Sequence, residues 1–151
     1  MDESTIELIS KEGNIVTIKR RLVKKSGTIQ TLLEDLGYEA EDAGKPEPIP
    51  VPNCEEKHIR MIAEWLRLHE IDAPIDEEQR GINHFNLTIP KEDREMFEKT
   101  HIDDIAYLMI AANYLEITDL IENLAKYTAK VIDDNNDSAD SIMKALNLTK
   151  N

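Results

Sequence analysis

Apolar and polar side chains alternate over Thr5–Ile9 and again over Ile15–Ile18, with a Ser-Lys-Glu-Gly-Asn turn between them. Short, β-prone, alternating runs joined by a glycine-bearing turn predict a β-hairpin. A two-stranded ribbon is not stable alone, so it must lie on other elements. From Thr28 to Leu36 the period changes. Ile29, Leu32, Leu33 and Leu36 follow helical spacing, Ser26 stands where a cap belongs, and Gly37 stands where a helix C-terminal glycine belongs. A short helical turn around Leu22–Lys25 precedes this helix. Residues 38–47 read as an acidic loop. In Pro48–Pro52 the prolines alternate with Ile49 and Val51, which permits an extended edge strand with both apolar side chains on one face.

Asn53 is then expected to cap a helix that reaches His69, with Glu56 completing a capping-box variant and Ile59, Ile62, Ala63 and Leu66 facing inward. Residues 70–88 lack periodicity and contain Pro74, Gly81 and an acidic run, so they read as a flexible acidic loop. A short helix over Glu92–Lys99 follows. Thr100 with Asp103 is expected to cap the next helix, which turns Ile102, Ile105, Ala106, Met109 and Ala112 inward. Thr118 is expected to cap a third, carrying Leu120, Ile121, Leu124, Thr128, Val131 and Ile132, until the Asp133–Asp137 run ends it. A last short helix spans Ser138–Leu146. A hairpin and a third strand followed by helices give an α+β pattern.

Composition narrows the function classes. The chain has 151 residues and is 40% apolar, enough for one core without disulfide staples. Its formal net charge is −13. Residues 1–37 hold six acidic and six basic side chains, so the whole surplus falls on residues 38–151. Such a chain lacks the basic stripe that phosphate neutralisation requires, and it does not suit anionic membranes. Neither nucleic acid nor membrane is therefore an expected partner. The single cysteine, Cys54, fits a reducing compartment, and no run is long and apolar enough to span a membrane.

Candidate chemistry is sparse. His58, His69, His84 and His101 show no paired spacing, which predicts no metal centre. No phosphate loop, dinucleotide-binding glycine pattern or serine elbow occurs. A cysteine nucleophile of the ubiquitin-conjugating kind is the one enzymatic possibility. The position of Cys54 beside a helix start mildly favours a thiolate, but the stretch Val51–Cys54 lacks the histidine expected just upstream. A structural thiol is the expectation, with no cofactor and no catalytic residue. Lys19, Arg20, Arg21, Lys24 and Lys25 form the one basic cluster, read as a solvated face, with a docking patch for an acidic partner as the alternative.

Three segments carry a family resemblance. Thr28–Gly37, Pro48–Asn53 and above all Leu108–Ile117, with its Ala-Ala-Asn-Tyr-Leu core, resemble the S-phase kinase-associated protein 1 family in order and spacing, and Trp65 also falls in place. The resemblance covers about residues 5–148. It implies a BTB/POZ fold over residues 1–117, a three-stranded sheet with surrounding helices, and a helical F-box-binding extension over 118–151. It implies a non-catalytic adaptor, cytoplasmic and nuclear, that bridges a cullin scaffold to F-box proteins in an SCF-type ubiquitin ligase. It assigns the cullin contact to Asn113 and Tyr114. The F-box contact falls on the later helices, with Ile117, Leu120, Leu124, Tyr127, Val131, Ile142, Leu146 and Leu148 as candidates. Two departures stand out. The family continues with further helices beyond the position of Leu148, so the expectation is either a C-terminally truncated form or a divergent paralogue with a shortened F-box clamp. Its tryptophan-centred stretch is here Pro90–Phe97, with only Pro90, Asp93 and Phe97 kept. The alternative within the same fold is a self-associating structural module, a homodimer acting outside the ligase.

Overall fold

The structure is a computed structural model; it describes residues 4–37, 47–72, 78–80, 88–135 and 138–145. Strands β1 (Thr5–Ile9) and β2 (Ile15–Lys19) form the expected antiparallel hairpin, with Ile6 opposite Ile18 and Leu8 opposite Val16. Those four side chains share the buried face of the sheet. Strand β3 (Ile49–Pro50) runs parallel to β1 on its other side, giving the order β2-β1-β3. Ile49 and Val51 are buried and Pro50 is exposed, as the alternating prolines require.

A 3-10 turn (Arg20–Lys25) leads into α1 (Gly27–Asp35). Ser26 caps α1 by accepting from Ile29 N, and Gly37 takes φ +75° just past its end. Helix α2 (Glu56–Leu68) buries Ile59, Ile62, Trp65 and Leu66. Further along the described residues come α3 (Lys91–Glu98), α4 (Ile102–Tyr114), the longer α5 (Thr118–Asp134) and α6 (Ala139–Ala145). One core joins the inner face of the sheet to α1, α2, α4 and the first half of α5. The fold is the expected α+β BTB/POZ arrangement.

Four local expectations are corrected. Asn53 does not cap α2; it sits at φ +64°, a conformation asparagine tolerates in turns, and Glu55 caps the helix in a reciprocal box with His58. His101 rather than Thr100 caps α4, because Thr100 Oγ1 instead donates to Met96 O and closes α3. Thr118 is the first helical residue of α5, with Ile117 at the cap position. Ala106 faces solvent, and Leu108 and Ala111 take its place in the core. The acidic-loop expectation falls largely on residues 73–77 and 81–87, and His84 with it, which lie outside the described residues. Of the basic cluster, Lys25 is not merely solvated: its ammonium lies 2.7 Å from Asp119 and 3.7 Å from Asp72, tying the 3-10 turn to α5 and to the end of α2.

Candidate functional site

The first candidate face is built by helix α4. Its inner side packs Ile105, Leu108, Ala111 and Ala112 into the core. Ala106, Tyr107, Ile110, Asn113 and Tyr114 recur at steps of three and four and remain exposed on the opposite side. Ile110 is 47% and Tyr114 39% exposed. Tyr107 and Ile110 were not among the sequence candidates. The signal that could have found them is the same helical step counted back from Tyr114.

The end of α4 is held by an unusually complete termination. Ile117 N donates to Ala112 O (2.9 Å) and Glu116 N to Asn113 O (3.2 Å), the two bonds of a Schellman motif. Glu116 occupies the left-handed position that glycine normally takes, at φ +53°. Helix α1 then meets this terminus head-on. Gly27 N donates to Glu116 O, Thr28 N to Leu115 O, Thr28 Oγ1 to Tyr114 O (2.8 Å) and Ser26 Oγ to Leu115 O (2.6 Å). Otherwise orphaned carbonyls of α4 are thus satisfied by the positive end of α1. The approach is so close that a Cβ on Gly27 would lie 3.2 Å from Glu116 Cβ. The result is a fixed backbone beneath Asn113 and Tyr114.

The left-handed glutamate has a measurable cost, because a Cβ there crowds the following carbonyl by about 1–2 kcal/mol. Glycine would relieve that crowding but loses more freedom on folding. Glu116→Gly is therefore expected to stabilise the fold by ~0.5 kcal/mol, seen as a higher urea midpoint at unchanged slope. A lowered midpoint would show that the Glu116 side chain packing over Gly27 outweighs the relief.

Tyr114 also opens onto an apolar groove of about 630 Å³. Thr31, Leu32 and Leu36 of the α1 segment line one wall, and Pro48, Ile49 and Pro50 line another. Leu36 is 56% exposed. The three segments that carried the resemblance, remote in sequence, thus surround one open surface.

The second candidate face fares differently. Ile117, Leu120 and Leu124 are 0%, 1% and 0% exposed. They belong to the core, Ile117 as the apolar partner of the Schellman motif, and this corrects their assignment to an F-box contact. Tyr127 and Val131 are half-buried and line a groove of about 360 Å³ with Ile89, Arg94, Glu98 and Lys130. Tyr127 sits edge-on to Phe97, 5.5 Å between centroids. Burial, with Glu98 nearby, pushes its phenol pKa up. Ile132, the next residue along α5, is exposed. Leu146 and Leu148 lie outside the described residues, as does the side chain of Ile142.

A buried polar hub ties α3 and α5 to α2. Asp93 on α3 is fully buried and accepts from Trp65 Nε1 (2.8 Å) and Asn123 Nδ2 (2.7 Å). His69, at the C-cap of α2, stacks on Trp65 and bonds Asp93 through Nε2 and Asp72 through Nδ1. His69, Glu92 and Asp93 offer ligand atoms within 4.8 Å of one another, but both His69 nitrogens and Asp93 are already committed to this network. Burial alone lowers the His69 pKa; the two carboxylates more than reverse this and hold it above the usual 6.5. A raised folded-state pKa gives stability that is present below the unfolded value and lost as pH rises through the folded value. Stability should therefore decline on the alkaline side of neutrality. His69→Gln should flatten that decline in urea unfolding followed from pH 6 to about 9; an unchanged slope would exclude His69 as its source.

This combination defines a BTB/POZ domain in which α4 carries an exposed strip ending at Tyr114 and which continues into helices with a second groove. The chain belongs to the Skp1 family. It matches the family model "Skp1 family, tetramerisation domain" over residues 4–71. It is 32% identical over 143 residues to the E3 ubiquitin ligase complex SCF subunit sconC of Arthroderma benhamiae, covering 95% of this chain and 82% of that protein. The corresponding protein of Arthroderma otae is 31% identical over 96% of this chain and 83% of its own length. A Skp1-related protein of Caenorhabditis elegans is 32% identical over 86% of this chain and 73% of its own.

Proposed function

We propose that the chain is an adaptor subunit of an SCF-type ubiquitin ligase, joining a cullin scaffold to F-box proteins without itself making or breaking covalent bonds. The observation that carries this reading is the gathering of the Thr28–Gly37, Pro48–Asn53 and Leu108–Ile117 segments around Tyr114 and its groove. A half-exposed tyrosine on a firmly terminated helix, beside an apolar groove, is the kind of anchor that dominates interface energy. The cullin is assigned to this face, with Asn113 and Tyr114 at its centre and Tyr107 and Ile110 along its flank. The F-box partner is assigned to the groove of Tyr127 and Val131 with Ile132, and to the segment carrying Ile142, Leu146 and Leu148.

A passive role agrees with the state of Cys54. It is fully buried, its thiol lies 3.7 Å from Tyr107 O, and burial pushes its pKa up despite the nearby Lys11. The helix-start effect expected from its position is outweighed by desolvation. In a ligase reconstituted with equal amounts of folded protein, Cys54→Ser should support ubiquitin transfer at the wild-type rate, while omission of the chain should stop transfer to an F-box-bound substrate. Transfer lost with the serine variant would overturn the non-catalytic reading.

A further inference from the structure

Strand β2 is the outer edge of the sheet. The bonds Arg20 N to Ser4 O and Ser10 N to Asn14 O fix the ladder so that even-numbered residues of β2 face β1. The backbone groups of Ile15 and Thr17 therefore point away from the sheet, and among the described residues no strand pairs with them. An unpaired edge is a template for another strand.

This edge is not bare. Between β2 and the exposed flank of α2 lies a groove of about 320 Å³. Its apolar lining comes from Val16, Ile18, Leu22 and Ala63. Its charged lining is Lys19, Arg21, Arg60 and Arg67 against the single carboxylate Glu64, in a chain whose net charge is −13. Arg60 pairs with Glu56, Arg67 with Glu64 and Arg21 with Glu70, each through side chains that are 30–60% exposed. Exposed pairs of this kind are weak, and each guanidinium has donors beyond those one carboxylate takes. Lys19 has no carboxylate partner among the described residues.

We propose that the β2 edge is a third docking surface, which takes an extended acidic segment of a partner protein as an added strand. Backbone pairing to Ile15 and Thr17 supplies the register. Side chains of the added strand that turn toward α2 alternate with those that turn away, every second residue, about 6.7 Å apart. Arg60, Ala63 and Arg67 lie on one stripe of α2, with the two arginines about 10 Å apart along the helix axis. The fitting pattern is acid, any residue, apolar, any residue, acid: the apolar side chain covers Ala63 and Leu22 while the flanking acids reach the two arginines. The cationic rim disfavours pairing with the same edge of a second copy, where like charges would meet. The groove shares no lining residue with the Tyr114 or Tyr127 grooves, so this contact leaves both other faces free.

The test uses the full chain and a labelled peptide, Thr-Glu-Thr-Leu-Thr-Glu-Thr, followed by fluorescence anisotropy and by amide shifts in ¹⁵N spectra. Binding should weaken with salt, and the largest shifts should fall on residues 15–19. Arg60→Gln with Arg67→Gln, both at exposed positions whose ion pairs are weak, should weaken binding at least tenfold with little change in the thermal midpoint. Thr17→Pro, which removes an outward N–H and no bond to β1, should do the same. Absence of binding at millimolar peptide would overturn the proposal, as would equal binding of a lysine-for-glutamate peptide or shifts centred on the Tyr114 groove. Concentration-dependent dimerisation abolished by Thr17→Pro would also overturn it, in favour of self-pairing.

Discussion

Lysine at both Asn113 and Tyr114 will abolish binding to a cullin N-terminal domain while leaving the fold intact. Both side chains are exposed and neither contributes to the core, so the substitution should leave the unfolding free energy within about 0.5 kcal/mol of wild type. The backbone bonds that set the end of α4 use carbonyl oxygens, among them Tyr114 O with Thr28 Oγ1, and survive any side-chain change. At the interface the effect is large. Losing an aromatic anchor and burying two ammonium groups against an apolar partner costs roughly 2–5 kcal/mol, or about 30-fold to several thousand-fold in Kd. F-box binding should be unaffected, since the Tyr127 groove shares no residue with this face. Cullin affinity retained by a folded double variant would remove the assignment of this face. Calorimetric titration checks both halves.

The largest effect on stability should come from Asp93→Ala. The carboxylate is fully buried and accepts from Trp65, Asn123 and His69, which belong to α2, α5 and the end of α2. Alanine leaves the indole N–H, an amide and a histidine flanked by Asp72 without their shared acceptor. Removing one partner from a buried charged network of this kind costs about 3–5 kcal/mol, well above the loss from the side chain's own contacts. Asp93→Asn, which keeps the size and one carbonyl acceptor, should cost less. Urea unfolding read separately from Trp65 fluorescence and far-UV circular dichroism gives the values. Because the hub fastens α3 and α5 to α2, F-box affinity should fall in Asp93→Ala before cullin affinity does. A cost below about 1 kcal/mol would mean that the network is not what holds these helices together.

Much of the fold is visible in local chemistry. Alternation in Thr5–Ile9, the Ser26 and Gly37 punctuation of α1, and the Ile49/Val51 face between prolines each follow from the backbone geometry of a few adjacent residues. The misplacements have physical causes too. Asn53 and Thr100 are good caps in isolation, but Asn53 is used for its tolerance of positive φ and the Thr100 hydroxyl is captured by Met96 O. Helix α4 is apolar on most sides, so periodicity could not separate Ala106 from Leu108. The same ambiguity governs the partner faces. Leucines and isoleucines at helical spacing are identical on paper whether they meet the core or a partner; only tertiary packing put Leu120 and Leu124 inside and left Ile132 out. Asp93 and His69 are 24 residues apart, and nothing local pairs them. Asn113 and Tyr114 were found through resemblance, and their exposure is what gives that assignment a physical basis.

The central claim is that one chain holds two partners at once on separate faces. Sedimentation velocity on the chain mixed with a cullin N-terminal domain and an F-box protein tests it directly. A single 1:1:1 species is expected, with each partner's Kd unchanged by saturation with the other. Mutually exclusive binding, or a homodimer that recruits neither partner, would contradict it.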